Sequence, residues 1–349
     1  MVHKTHFMRT MNTPTNPLTS YAHSPDQSLT VVNHSASILT ATPTTPIQEA
    51  ARAWLLKSTS ADTRSNYERD LGQFLSFCGF TPKDVERLAT IRPHQVAAWR
   101  DHLAERGLTN SSIRRKLTAL RSLFSYLQTY GYVGANPAHS DFVAVPSPPR
   151  DGKTVGLSPQ DCRRLLDAPS ETTPAGMRDR ALLAVLAYTG CRIGELTRLK
   201  VSSYKTTGVH KVLEIHGKGG KERRVPLHLE AAERLEAWLD IAGIREDSSG
   251  VIFRPLRTAR GHGVNGFVGK GITRRAIQKL MAGYVRRLGL DPNVTVHSLR
   301  VTALTTAREQ GSDIIDLQDF AGHADPRTTL TYVRSRDRLS KSPAYVLRY

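Results

Sequence analysis

Hydropathy patterning places this chain in a mainly α class, with β structure confined to a small hairpin or sheet, in two domains. Three features decide it. Apolar residues recur at helical spacing along most of the chain, most clearly at Ile113, Leu117, Leu120, Phe124 and Leu127. The period changes to two over residues 211–227, where Val212, Leu213 and Ile215 are followed by a Gly-rich turn and then Arg224, Val225 and Leu227. Between the two patterned halves lies an aperiodic stretch, 143–156, carrying Pro146, Pro148, Pro149, Arg150, Asp151 and Gly152, which reads as a linker.

The elements follow in order. Residues 1–45 are rich in Thr, Ser, Asn and Pro and poor in large apolar groups, so they bury too little surface to offset ordering entropy and are expected to form a disordered tail. Residues 46–142 read as four short helices. The first spans Ile47 to Lys57, opened by Pro46. The second begins near Ser60 and ends before Gly79, the third runs from near Pro93 to before Gly107, and the fourth ends at Gly131. Arg114, Arg115, Lys116 and Arg121 are expected off the fourth helix's apolar stripe, as a basic face for DNA phosphates. The second domain, 157–349, opens at Ser158-Pro159, a cap followed by a first-turn proline. A longer apolar helix stops at Thr189-Gly190, and a new one is expected to carry Arg192, Glu195, Leu196 and Leu199. After the hairpin, helices resume at roughly 229–242, 272–288, 297–310, 313–320 and 326–335, while 257–271 has no clear element.

Charge narrows the partners. Lys plus Arg number 49 against 31 for Asp plus Glu, a net of +18, which suits a polyanion. No apolar run approaches the roughly 18 residues of a membrane span, and no secretory signal is visible, so a cytoplasmic, nucleoid-associated protein is expected. Three widely spaced cysteines, Cys78, Cys162 and Cys191, form neither a disulfide framework nor a zinc pattern and fit a reducing compartment. Cys191 reads as a small buried side chain. No Walker A motif is present, so neither nucleotide hydrolysis nor any cofactor or metal is expected.

Six residues of the second half suit chemistry on a phosphodiester: Arg192, Lys218, His297, Arg300, His323 and Tyr332. The planar fork of an arginine matches phosphate oxygens, and phosphoryl transfer is catalysed chiefly by positioning and by stabilising charge on the non-bridging oxygens. His297 and Arg300, three apart on one expected helix, share a face. Histidine adds proton handling near neutral pH. A phenol titrates near 10 and needs cationic neighbours to attack well, which this set offers to Tyr332. Lys218, in Gly-Lys-Gly-Gly-Lys, suits a phosphate contact or a proton donor. Its neighbours Lys221, Arg223 and Arg224 leave the choice of cation open.

The order Arg, Lys, His-x-x-Arg, His, Tyr resembles the tyrosine recombinases, or phage integrase family, over residues 46–345. Thr-Gly-Cys-Arg-Ile-Gly-Glu-Leu is similar to its first motif box. His-Ser-Leu-Arg with Ala-Gly-His through Tyr332 is similar to its second, and Gly-Lys-Gly-Gly-Lys-Glu-Arg-Arg-Val-Pro-Leu to its lysine hairpin. The helical segment ending at Asn136-Pro137 is similar to the SAM-like core-binding domain of Xer-like members. Two departures stand out: Val296 occupies a position often held by Pro, and the Gly-rich 257–271 segment is long. The resemblance implies a site-specific recombinase. Tyr332 would form a 3′-phosphotyrosyl link, with Arg192, Arg300 and His323 on the phosphate, Lys218 as general acid, His297 assisting at the nucleophile and Glu195 orienting the site. It implies double-stranded DNA with paired core sites, a homotetrameric synapse with a Holliday-junction intermediate, and room for a partner recombinase. A segment at 344–347 is expected to dock on a neighbouring protomer. Arg274 and Arg275 join the helix of Arg114 to Arg121 as candidate DNA contacts. The competing readings are a type IB topoisomerase that relaxes DNA, and a silent DNA-binding regulator, which would lack one of these residues.

Overall fold

The computed structural model describes residues 38, 43, 45–147, 154–217, 220–258, 264–267 and 270–333. Most of the expected tail, the linker's centre at 148–153, Lys218 and the 344–347 segment lie outside these residues. Two compact units divide between residues 148 and 149.

The N-terminal unit contains α1 (Pro46–Leu56), α2 (Ala61–Phe77), α3 (Pro93–Glu105) and α4 (Asn110–Thr129). A 3-10 turn over Val85–Thr90, not expected from the sequence, buries Val85 and Leu88. Each helix starts where local chemistry favours it. Thr45, Ser60 and Thr109 side chains accept backbone N–H groups of the first turns of α1, α2 and α4. The core is apolar and aromatic: Phe74 meets Trp99 edge-on at 5.1 Å, and Trp54 stacks on Tyr67 at 5.2 Å.

Polar groups strap this unit together, and here the expectation for α4 needs correcting. Arg114 and Arg115 are exposed, but Lys116 is buried, 6% exposed. It donates to Asp70 of α2 at 2.9 Å and also to Gln73, while Arg115 pairs with the same carboxylate. Asp70 has no exposed surface, so it needs these cations to offset its lost hydration. Position 116 lies three residues after Ile113 and four before Leu120, so helical geometry puts it on the apolar stripe. Arg121 donates to the carbonyls of Ala138 (2.5 Å) and Val143 (2.7 Å), holding the segment that follows α4.

The C-terminal unit is built around α6 (Pro174–Thr189), in which Ala181 through Leu186 are all buried. A helix apolar on every side needs covering on every side. It packs against α5 (Pro159–Asp167), α8 (Leu229–Ile241) and α10 (Val296–Glu309). A three-stranded antiparallel sheet, β1 (Tyr204–Thr207), β2 (His210–His216) and β3 (Glu222–Pro226), runs in sequence order, with Leu213 opposite Val225 and Ile215 opposite Arg223. Strand β1 was not expected, since its residues are polar and mostly exposed. A second hairpin, β4 (Leu256–Thr258) and β5 (Val264–Phe267), lies within the segment that had no clear element. The remaining helices are α7 (Ile193–Leu196), α9 (Arg274–Arg287), α11 (Ile314–Ala321) and α12 (Pro326–Val333). Helix α7 is one turn only, shorter than expected: Arg192 is its N-cap, and Leu199 lies beyond it, where its carbonyl accepts the Ile252 N–H. Among the described residues no helix is long and apolar enough to cross a membrane.

Candidate active site

Arg192 is placed by the break between α6 and α7. Gly190 ends α6 in the left-handed conformation, φ 56°, and a Cβ there would sit 3.2 Å from the Phe320 ring. The chain then turns, so that Arg192 caps α7 with extended backbone. Glu195, three residues on, accepts the Arg192 N–H at 2.9 Å and its Nη1 at 2.9 Å. Arg192 remains 43% exposed, while the Glu195 side chain is 3% exposed. Burial alone would raise the Glu195 pKa, but hydrogen bonds from Arg223 and Arg192 outweigh it and hold the carboxyl below its ordinary value.

Arg300 projects from α10 and is 1% exposed. Its Nη1 donates to the Gly190 carbonyl at 2.5 Å, and its Nη2 to the Ala321 carbonyl at 2.6 Å and to His323 Nε2 at 2.7 Å. An arginine only donates, so His323 Nε2 accepts. The proton then resides on Nδ1, which donates to Thr329 Oγ1 of α12 at 2.9 Å. Burial first, then the charges of Arg300, Arg192 and Arg223 and of His297, lower the His323 pKa to about 4. The ring is therefore neutral at physiological pH. His297, exposed on the first turn of α10, is also lowered, by desolvation and by Arg300 and Arg192.

Arg192, Glu195, Arg300 and His323 are thus brought to one place, with His297 close enough to feel both arginines. A cleft of about 560 Å³ opens there, lined by Arg192, Gly217, Lys221, Arg223, Gly322 and His323. Lys218 lies outside the described residues, but Gly217 and Lys221 on either side of it reach the cleft. Tyr332 falls one helical turn after Thr329 in α12; its side chain is outside the described set. A larger apolar groove of about 630 Å³, near Cys162, Leu166 and Ala187, contains none of the expected site residues. Cys191 is buried beside Arg192, and burial pushes its thiol up to about 11, so it is an inert packing residue. Arg274 and Arg275 are exposed at the start of α9.

Two contributors escaped the sequence reading. Thr329 accepts from His323 Nδ1, the nitrogen that carries the proton because Nε2 accepts from Arg300. Arg223 donates from Nη2 to Glu195 at 2.9 Å and from Nε to the Phe320 carbonyl at 3.1 Å. A signal for Arg223 existed: it is in phase with Val225, on the buried face of β3, whereas Glu222 and Arg224 are exposed.

This arrangement of cations suits a phosphodiester, and comparison with known proteins gives the family. The phage integrase family model matches residues 156–338, and the phage integrase N-terminal SAM-like domain matches residues 53–131. Among curated relatives, tyrosine recombinase XerC of Pelobacter propionicus is 32% identical over 304 residues, 84% of this chain and 93% of that protein. Tyrosine recombinase XerD of Listeria monocytogenes is 31% identical over 280 residues, 78% of this chain and 88% of that one. Solved structures share the fold. A lambda integrase dimer bound to a core site gives a TM-score of 0.61 at 20% identity, covering 82% of this chain and 96% of that one. XerH bound to palindromic difH gives 0.58 at 19% identity, covering 82% and 84%. The chain belongs to the phage integrase family, and is a tyrosine site-specific recombinase, a DNA strand-exchange enzyme.

Proposed function

We propose that the cleft between α7, β3 and the α11–α12 turn holds the scissile phosphate and that Tyr332 is the nucleophile. The carrying observation is the convergence of Arg192 and Arg300, from helices distant in sequence, beside a histidine tied to Tyr332's own helix by the Thr329 bond. The phenol oxygen of Tyr332 attacks phosphorus. A tyrosyl P–O bond forms as the bond to the 5′-oxygen breaks. Lys218 gives the 5′-oxygen a proton, and neutral His297 takes the phenol proton. Arg192 and Arg300 stabilise the charge that builds on the non-bridging oxygens. The 3′-phosphotyrosyl link conserves the bond energy, so a second 5′-hydroxyl reverses the step without ATP.

The exposed Arg114, Arg115, Arg274 and Arg275 are the proposed DNA phosphate contacts; Lys116 and Arg121 instead fix the helix that presents the first two. The known structures of lambda integrase and XerH, bound to core-site and difH DNA respectively, support duplex DNA with paired core sites as the substrate. A homotetrameric synapse exchanging strands through a Holliday junction, and action on cytoplasmic, nucleoid-associated DNA, complete the proposal.

The test uses nicked duplexes tiled across DNA flanking the native gene, with wild type and Tyr332→Phe, resolved on a denaturing gel. A covalent 3′-phosphate adduct with wild type alone is expected. An adduct with the Phe variant would overturn the assignment of the nucleophile.

A further inference from the structure

The final carbonyls of α11 are claimed by two arginines from different elements. Arg300 takes Ala321, and Arg223 takes Phe320. Helix C-termini leave such carbonyls without intrahelical partners and carry partial negative charge, so they are natural seats for guanidinium groups. Arg300 goes on to His323. Arg223 goes on to Glu195, which in turn holds Arg192 through both its backbone N–H and its Nη1.

Arg223 is well held. Its side chain is 12% exposed and lies on the buried face of β3. Gly322, left-handed at φ 61°, leaves room for it: a Cβ there would stand 3.0 Å from Arg223 Nη1 and 3.3 Å from its Cδ. The charges matter as much as the geometry. Glu195 and Arg192 alone would form a neutral pair at the cleft wall. With Arg223 on the other carboxylate oxygen, the trio carries a net positive charge facing the cleft.

We propose that Arg223 is a positioning residue for strand cleavage: it anchors and neutralises Glu195, so that Arg192 is aimed at the phosphate as an uncompensated cation, in fixed register with the turn that bears His323. This rests on the reading of Arg192 as a phosphate contact.

The experiment measures single-turnover cleavage and DNA affinity for wild type, Arg192→Ala, Arg223→Ala and Arg223→Lys. Two nicked substrates are used, one natural and one with a neutral methylphosphonate at the scissile position. Thermal melts confirm folding of each variant. Arg223→Ala should cleave the natural substrate about 100-fold more slowly, the scale of a misplaced catalytic group, with little change in affinity. The loss should shrink at least tenfold on the methylphosphonate, because the charge that Arg192 must meet is gone. Arg223→Lys should recover part of the rate, having the charge but not the fork that spans both acceptors. An Arg223→Ala loss equal on both substrates, while Arg192→Ala is relieved by the methylphosphonate, overturns the proposal and leaves Arg223 a scaffold residue. If Arg192→Ala itself shows no relief, the reading of Arg192 is at fault instead. Should Arg223→Ala not fold, Arg223→Lys decides alone: a natural-substrate rate equal to wild type also overturns the proposal.

Discussion

In the N-terminal unit Lys116, 6% exposed, ends on Asp70 and Gln73, and Arg115 shares the same carboxylate. In the C-terminal unit Arg300, 1% exposed, ends on two backbone carbonyls and a neutral histidine. Both are buried cations, and the difference lies in their acceptors. Asp70 offsets the charge of buried Lys116, and the second cation on that carboxylate, Arg115, is exposed; the buried part of the cluster is closed and serves packing. The acceptors described for Arg300 are neutral: two carbonyl dipoles and an uncharged imidazole. The N-terminal cluster thus joins α2 to α4, whereas the C-terminal one belongs to the proposed phosphate site.

The largest effect that tests this contrast is on Arg300. Arg300→Ala should reduce cleavage by about 10³ or more, the worth of an arginine on a transferring phosphoryl group. Lys116→Met should leave cleavage per folded molecule within about twofold, because its charge does not reach a substrate. Single-turnover assays normalised to folded protein decide this. A large catalytic loss in Lys116→Met would break the distinction between the clusters.

Stability should show the reverse emphasis. Lys116→Met removes one of the cations on a fully buried carboxylate and should cost about 1–3 kcal/mol in urea denaturation, softened because Arg115 remains. A change below about 0.5 kcal/mol would mean that the pair contributes little to holding α2 against α4.

How far these roles are readable before the structure depends on where the partner sits. Arg192 with Glu195, and His297 with Arg300, lie within short motifs, so type and spacing suffice to pick them out. Asp70 and Lys116 are 46 positions apart and Arg223 and Glu195 are 28 apart, and no local pattern joins them. What the sequence does supply is phase. Lys116 falls on the helical stripe of Ile113 and Leu120, and Arg223 on the strand face of Val225, a phase that the reading of Lys116 as part of a basic outer face overlooked. The helices were legible because their apolar stripes and caps are strong. Strands β1, β4 and β5 were not: β1 is polar and mostly exposed, and β4 and β5 are short pieces in a Gly-rich, basic stretch that lacks alternation.

The neutral acceptor at the centre of the site gives a pH test. The His323 pKa is lowered to about 4 from an ordinary 6.5 by burial and then by its cationic neighbours. Between those values the unfolded chain binds more protons at this position than the folded one, so stability is lost as pH falls from 6.5 towards 4. Above 6.5 the ring contributes no pH dependence. His323→Asn should therefore lose less stability than wild type over that acid window and follow it in parallel above it. His297, lowered in the same direction, remains in both proteins and does not alter the comparison. Parallel curves throughout would show that the ring is not held neutral.

The smallest effect belongs to a cation with neither kind of burial. Arg114 is exposed on α4, beside the closed cluster but not part of it. Its backbone carbonyl accepts the Thr118 hydroxyl, a bond that does not depend on the side chain. Arg114→Ala should leave urea stability within about 0.5 kcal/mol, as for surface changes in general. On DNA it should behave as one lost phosphate contact. The slope of log affinity against log salt should fall by about 1, with binding weakened evenly across sequences. The same measurement on Lys116→Met should leave the slope unchanged, because its ammonium is already committed to Asp70. A salt slope that moves for Lys116 and not for Arg114 would invert the assignment of the basic run on α4, and place the DNA contact on a side chain that must first leave its buried carboxylate.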